Sequence, residues 1–250
     1  MNKSDYLNKI ICGDSLEILK TIPDGSIELV ITSPPYNIRN SSGGGFRGTS
    51  KSYKWKNAAL KDGYSDHSDD LPHKDYVENQ RQLLTELFRI IPENGAIFYN
   101  HKWRVQNGLM QDRSDIVDGF PVRQIIIWQR AGGINFNDGY FLPTYEVIYM
   151  ICKPDFKLAP KGNLHGDVWK MTQDNDNVHP APFPIELPDR IIASTTAKTV
   201  LDPYMGSGTT AVAAIRNNRN YVGIELSEKY IEMAEKRIKD ELHAECLLNF

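Results

Sequence analysis

The chain has 250 residues and a mass of 28.4 kDa, enough for one large domain or two small ones. Twenty-nine basic against 32 acidic residues leave a net charge of −3 and a pI near 6.1, which excludes a surface coated in positive charge, so a polyanion must meet a local basic patch. Mean hydropathy is −0.45; with no long apolar run and no signal-like start, the chain reads as soluble and cytoplasmic, with no membrane segment. Three cysteines, Cys12, Cys152 and Cys246, form no pairing or metal pattern.

In chain order, Leu7 to Cys12 reads as a strand and Ser15 to Ile22 as a helix stopped by Pro23-Asp24-Gly25. Ile27 to Thr32 is a second buried strand. Between Tyr76 and Ile91, Leu84, Leu87, Phe88 and Ile91 recur at helical spacing. Pro92 to Gly95 turns the chain into a strand from Ala96 to Asn100. Arg123 to Gln129 and Thr144 to Cys152 are β-rich and separated by a loop with Gly132-Gly133. Thr199 to Asp202 and Tyr221 to Glu225 are short strands, each followed by a helix. This alternation predicts an α/β protein with a largely parallel sheet. Two stretches break the rhythm. Asn37 to Asn57 carries Arg39, Arg47, Lys51, Lys54 and Lys56 without an acid, among glycines and aromatics; we take 37–75 as a basic loop insert. Residues 153–178 are polar and aperiodic. Neither is large enough for a domain of its own.

Asp202-Pro203-Tyr204-Met205-Gly206-Ser207-Gly208-Thr209-Thr210 joins a strand to a helix through a glycine turn. Such a turn brings backbone close to a ligand at a helix N-terminus. Glu225 follows Gly206 by 19 residues at the end of the next strand, where an acid accepts hydrogen bonds from ribose hydroxyls. No Gly-Lys-Ser/Thr is present, and Asp202 would repel a phosphate. A nucleoside-like ligand fits better than a nucleotide.

Ser33-Pro34-Pro35-Tyr36 ends the second buried strand. Two prolines donate no backbone N–H, so this ledge offers acceptors. With an aromatic face from Tyr36, it suits a planar –NH2 group. His67, Asp69, Asp70 and His73 have no metal-ligand spacing and read as solvated loop.

At these two motifs the sequence resembles the β group of DNA amino-methyltransferases. The resemblance covers most of the chain: Gly13-Asp14-Ser15 looks like the family's third cofactor element, His179-Pro180-Ala181-Pro182-Phe183-Pro184 like the element before the cofactor loop, and Gly223-Ile224-Glu225 like the ribose element. It implies a single catalytic domain over 1–250 with a Rossmann-like, mixed seven-stranded sheet carrying one antiparallel edge strand. The chain would be circularly permuted, with the Leu7–Cys12 strand beside Tyr221–Glu225. It implies S-adenosylmethionine as cofactor, held by Asp14, His179, Pro180, Asp202, Tyr204, Gly206, Ser207, Gly208, Thr209 and Glu225. Asp14 would also serve as a helix N-cap, and His179 as a cap on the turn before the prolines.

The implied reaction moves a methyl group to the exocyclic nitrogen of a base flipped out of double-stranded DNA, with Ser33, Pro34, Pro35 and Tyr36 as the catalytic ledge. Ser-Pro-Pro-Tyr in that family favours cytosine N4 over adenine N6. RNA and protein-glutamine methylation are rivals that the motif order argues against. A serine is a weak base, so the product proton is expected to leave through water. The three cysteines lack the Pro-Cys setting of a carbon-5 mechanism. Arg39, Arg47, Lys51 and Lys54 are expected on DNA phosphates. Residues 153–178, with the loop around Gly132, are the candidate target-recognition segment, small enough that a homodimer would help. A cognate restriction endonuclease is the expected companion.

Overall fold

The computed structural model describes residues 1–37, 71–106, 108–130, 138–172 and 183–248. Strands β1 (Lys9–Cys12), β2 (Leu29–Thr32), β3 (Ala96–His101), β6 (Val122–Gln129), β7 (Tyr145–Cys152), β8 (Val168–Lys170), β9 (Thr199–Asp202) and β10 (Asn220–Glu225) form one sheet in the order β1-β10-β9-β2-β3-β7-β6-β8. β4 (Arg104–Gln106) and β5 (Leu109–Gln111) make a separate hairpin.

The sheet is built from short runs buried on both sides, as parallel sheets require. β2 and β9 are buried at every position. Alternation along the strands sends Leu29, Ile31, Phe98, Met150 and Val200 to one core, and Val30, Ile97, Tyr99, Tyr149 and Leu201 to the other. Helices α5 (Glu186–Ala193), α6 (Thr209–Arg216) and α7 (Glu228–Leu248) cover the first face. Helices α1 (Lys3–Tyr6), α2 (Ser15–Leu19), α3 (His73–Ile90) and α4 (Ser114–Val117) cover the second. None of the described helices is long and apolar enough to cross a membrane.

The register carries β1 beside β10, with Cys12 opposite Glu225, so the two ends of the chain meet in one sheet as expected. Two details differ from expectation. Among the described residues the main sheet has eight strands, because β8 adds an edge strand within the stretch read as aperiodic. Trp169 on it and Phe156 before it are both core residues; three residues are too few to show a period. Among the described strands of that sheet, β7 is the reversed one, and it is internal, antiparallel to both β3 and β6.

This topology positions the site. β9 leads through α6 to β10 on one side, while β2 leads through α3 to β3 on the other. Their helices lie on opposite faces, so the C-terminal ends of β9 and β2 flank a switch point, where open α/β sheets bind ligands. Because β7 is reversed, it delivers its first residues, Tyr145 and Glu146, to that same rim.

Candidate active site

The glycine turn is tied down from inside. Asp202 is 1% exposed; its Oδ2 accepts from Thr210 Oγ1 at 2.6 Å and its Oδ1 from the Tyr204 amide at 3.0 Å. Burial drives its pKa up to about 6 against the pull of these bonds. Gly206 and Gly208 take φ of 52° and 84°, and a Cβ on Gly208 would lie 2.9 Å from the Ala234 side chain of α7. Glycine is required there by both backbone and space. Ser207 and Thr209 face α7, where Arg237 donates to the Ser207 carbonyl at 2.7 Å and to Thr209 Oγ1 at 3.2 Å. Met205 is anchored by its amide on the Ile224 carbonyl.

Glu225 stands at the rim, half-buried. Its Oε2 accepts from the Gly206 amide at 2.8 Å and its Oε1 from the Ser227 amide at 2.9 Å. Each oxygen keeps acceptor capacity for a hydroxyl. Asp14 is exposed at the end of β1 and caps α2, accepting from the Glu17 amide at 3.0 Å. Next to it, Ser15 Oγ donates to the Pro203 carbonyl and joins the two ends of the site. These groups fit a nucleoside with a cationic end: acids at Asp14 and Glu225, a glycine turn opening α6, and no phosphate-binding lysine in the turn.

Across the switch point, Ser33 is half-buried while Pro34, Pro35 and Tyr36 are buried. The Pro35 carbonyl accepts from Tyr76 Oη at 2.8 Å, and His101 Nε2 lies 2.7 Å from the same hydroxyl. Burial, with Arg113 and Arg104 adding to it, lowers the His101 pKa to about 3. Tyr36 is 6% exposed and packs against His101 with ring centroids 4.9 Å apart. It is a floor beneath the ledge.

The hydroxyl of Tyr36 enters a network that spacing did not reveal. Tyr36 Oη lies 2.6 Å from Ser33 Oγ and donates to Glu146 Oε2 at 2.8 Å. Asn100 Nδ2 reaches Tyr36 Oη and Glu146 Oε2, both at 2.8 Å, and Ser33 Oγ at 3.2 Å. Glu146 is 5% exposed, and Arg130 Nη1 sits 3.2 Å from its Oε1. A buried carboxylate needs such partners. Asn100, Arg130 and Glu146 come from three separate stretches of chain and carry no motif.

Arg39, Arg47, Lys51 and Lys54 lie outside the described residues, as do His179, Pro180 and Gly132. So do His67, Asp69 and Asp70; His73 pairs with Asp115 at 2.7 Å. The basic stretch leaves the described structure at Asn37 and returns at Leu71, where Asn37 Nδ2 donates to the Leu71 carbonyl at 2.8 Å.

The family model for DNA methylases of the N6/N4 type matches residues 27–236. The chain belongs to that family. It is an amino-methyltransferase of the kind found in restriction-modification systems, and its cofactor is S-adenosylmethionine. Among curated relatives, the type II methyltransferase M.BglII of Bacillus subtilis is 27% identical over 281 residues, spanning 94% of this chain and 70% of that protein. M.HinfI of Haemophilus influenzae is also 27% identical, over 96% of this chain and 70% of its own length. Among solved structures, a DNA modification methylase of Thermus thermophilus in complex with S-adenosylmethionine superposes with a TM-score of 0.69 at 24% identity, over 94% of each chain. The cytosine-N4-specific PvuII DNA methyltransferase gives 0.69 at 18% identity, over 93% of this chain and 90% of that one.

Proposed function

We propose that this DNA amino-methyltransferase methylates the N4 amino group of a cytosine flipped out of duplex DNA, with adenine N6 as the alternative base. The observation that carries this reading is Ser33 at the head of the ledge: a hydroxyl stands there, and the nearby carboxylate, Glu146, lies behind Tyr36. The cofactor supplies an electrophilic methyl group on a sulfonium. Asp14, Glu225 and the Tyr204–Thr209 turn would hold it, with His179 and Pro180 closing its methionine end. Glu225 would accept from the ribose hydroxyls. Asp202 works one layer deeper, fixing the turn through Tyr204 and Thr210.

The chain's contribution to the reaction is orientation and acceptance of hydrogen bonds. The exocyclic amine is a weak nucleophile because its lone pair is delocalised into the ring. Ser33 Oγ and the Pro34 carbonyl accept its two hydrogens, which favours a pyramidal nitrogen with the lone pair directed at the methyl. These contacts strengthen as positive charge grows on nitrogen, so they act on the transition state more than on the ground state. Alignment across the switch point supplies the remainder.

The basic residues Arg39, Arg47, Lys51 and Lys54 would contact phosphates beside the flipped base, and residues 153–178 would read the site, alone or in a homodimer. A cognate restriction endonuclease would cut the unmethylated site. Neutralising Arg47 and Lys51 together should reduce the slope of log affinity against log salt by about 2; an unchanged slope removes the loop from the interface. The base is tested by treating unmethylated DNA with labelled cofactor, digesting to nucleosides and separating them by mass. N4-methylcytosine is expected. N6-methyladenine would transfer the ledge to the other base, and 5-methylcytosine would overturn the mechanism.

A further inference from the structure

A carboxylate carried to the catalytic rim by the reversed strand has no place in the scheme above. We infer that Glu146 is a positioning residue for methyl transfer: through Tyr36 it holds Ser33 as a pure acceptor toward the amine, and it receives the proton the methylated amine sheds. The inference rests on the amino-methyl-transfer reading.

A count of hydrogens carries it. A carboxylate only accepts, so the single hydroxyl proton of Tyr36 lies on Glu146 Oε2, 2.8 Å away. Tyr36 Oη, 2.6 Å from Ser33 Oγ, is then the acceptor of that pair. The one proton of Ser33 points at Tyr36, and only its lone pairs are left for the cleft. A serine hydroxyl free to rotate would present its proton to the incoming –NH2 part of the time. Glu146 forbids that orientation. Asn100 Nδ2 contacts Tyr36 Oη, Glu146 Oε2 and Ser33 Oγ, which fixes the order of the chain. Arg130 on the opposite oxygen, 3.2 Å away, keeps Glu146 aimed inward.

The same chain of bonds is a path for the product proton. Methyl transfer forms an N–C bond, breaks the S–C bond of the sulfonium and leaves a positive charge on the substituted amine. The amine gives one proton to Ser33 Oγ as Ser33 passes its own to Tyr36 Oη and Tyr36 passes its own to Glu146 Oε2. The amine ends neutral, Ser33 and Tyr36 are unchanged, and Glu146 is a carboxylic acid that later returns its proton to solvent. A ledge headed by a weak base thus borrows a carboxylate two bonds away, in place of the exit through water expected from sequence.

The test uses the full chain with tritiated S-adenosylmethionine and unmethylated plasmid DNA, enzyme in excess. Glu146→Gln should slow the single-turnover rate about 100-fold, within the range of general acid–base groups, while affinities for S-adenosylmethionine and for DNA stay within about twofold. Glu146→Asp should recover about tenfold of the loss. Tyr36→Phe should match Glu146→Gln, and the double variant should be no slower than either, since both cut one path. Infrared difference spectra of a single turnover should show a protonated-carboxyl band that is missing in Glu146→Gln. A Glu146→Gln enzyme at wild-type rate overturns the inference. If that variant fails to bind cofactor because Arg130 is left without its partner, Tyr36→Phe decides, because it leaves the Glu146 contacts to Arg130 and Asn100 in place; a wild-type rate there is equally fatal. A wild-type enzyme that methylates no amino group would instead defeat the functional reading, and the two failures are distinct.

Discussion

The two halves of the site are held together in opposite ways. Around the cofactor turn, the two acids bond to near neighbours: Asp202 to Tyr204 and Thr210, and Glu225 to Ser227 and, 19 positions back, Gly206, with Ser15 on the Pro203 carbonyl as a long-range tie. Around the amine ledge, Tyr36 reaches Asn100 and Glu146, 64 and 110 positions away. The first half is a turn stiffened by its own acid. The second is assembled only when β2, β3, β6 and β7 are in register, so its geometry depends on the whole sheet. The halves also respond to acid with opposite sign, which gives a way to separate them.

The largest expected effect lies on the ledge side. His101 has a pKa near 3 in the fold against an ordinary value of 6.5. Between those values the unfolded chain binds the extra proton, so stability rises with pH, and the contribution present above about 6.5 is lost as pH falls toward 3. The full span is at most about 5 kcal/mol. Urea unfolding at pH 7 and pH 4.5 should show a large loss in the wild type and a smaller one in His101→Gln. Equal losses would place the acid sensitivity elsewhere.

Next in size is the hydroxyl at the head of the ledge. Ser33→Ala should lower the single-turnover rate by about 10²–10³, the cost of removing one preorganised group at a developing charge, and leave cofactor affinity unchanged, because the turn does not depend on it. A matching loss in cofactor binding would mean the two halves are not separate at all.

The cofactor side should move the other way with pH. Asp202 is raised from 3.8 to about 6 in the fold, so between those values the folded chain holds the extra proton. Stability therefore falls as pH rises through that window, by about 3 kcal/mol for the full shift. Asp202→Asn should lose this falling component: the wild-type minus variant difference in unfolding free energy should become less favourable from pH 4 to pH 6.5. A difference that grows in that direction would reverse the assignment.

The same contrast explains what could be read in advance. The turn, its acid and the ledge prolines were legible because their chemistry is written in adjacent residues, and β1 beside β10 followed from the family's order of elements. The tetrad of Ser33, Tyr36, Asn100 and Glu146 was not. Asn100 closes a strand that reads as core, and Glu146 opens one whose apolar run starts at Val147 and continues through Cys152. A strand's direction is invisible in its own sequence, and only the reversal of β7 turns its first residues toward the site. A charged residue at the mouth of an otherwise buried strand, with no partner within four positions, was the one available signal. β8 was missed for a different reason: Val168 and Lys170 are exposed and Trp169 alone is buried, which leaves no period to detect.

The smallest effect bears on a residue that belongs to both descriptions. Asp14 caps α2 through the Glu17 amide and stands at the rim where an acid would meet the nucleoside. Capping is a property of any short acceptor side chain, with Asp, Asn and Ser nearly equal and alanine about 1 kcal/mol worse. Asp14→Ser should therefore preserve the melting temperature, while Asp14→Ala lowers it by a few degrees. If the carboxylate also binds the cofactor, both variants should weaken S-adenosylmethionine binding to the same extent, measured by calorimetry. Should Asp14→Ser bind as tightly as the wild type, Asp14 is a cap alone, and the acid serving the nucleoside is Glu225 without help from the other end of the chain.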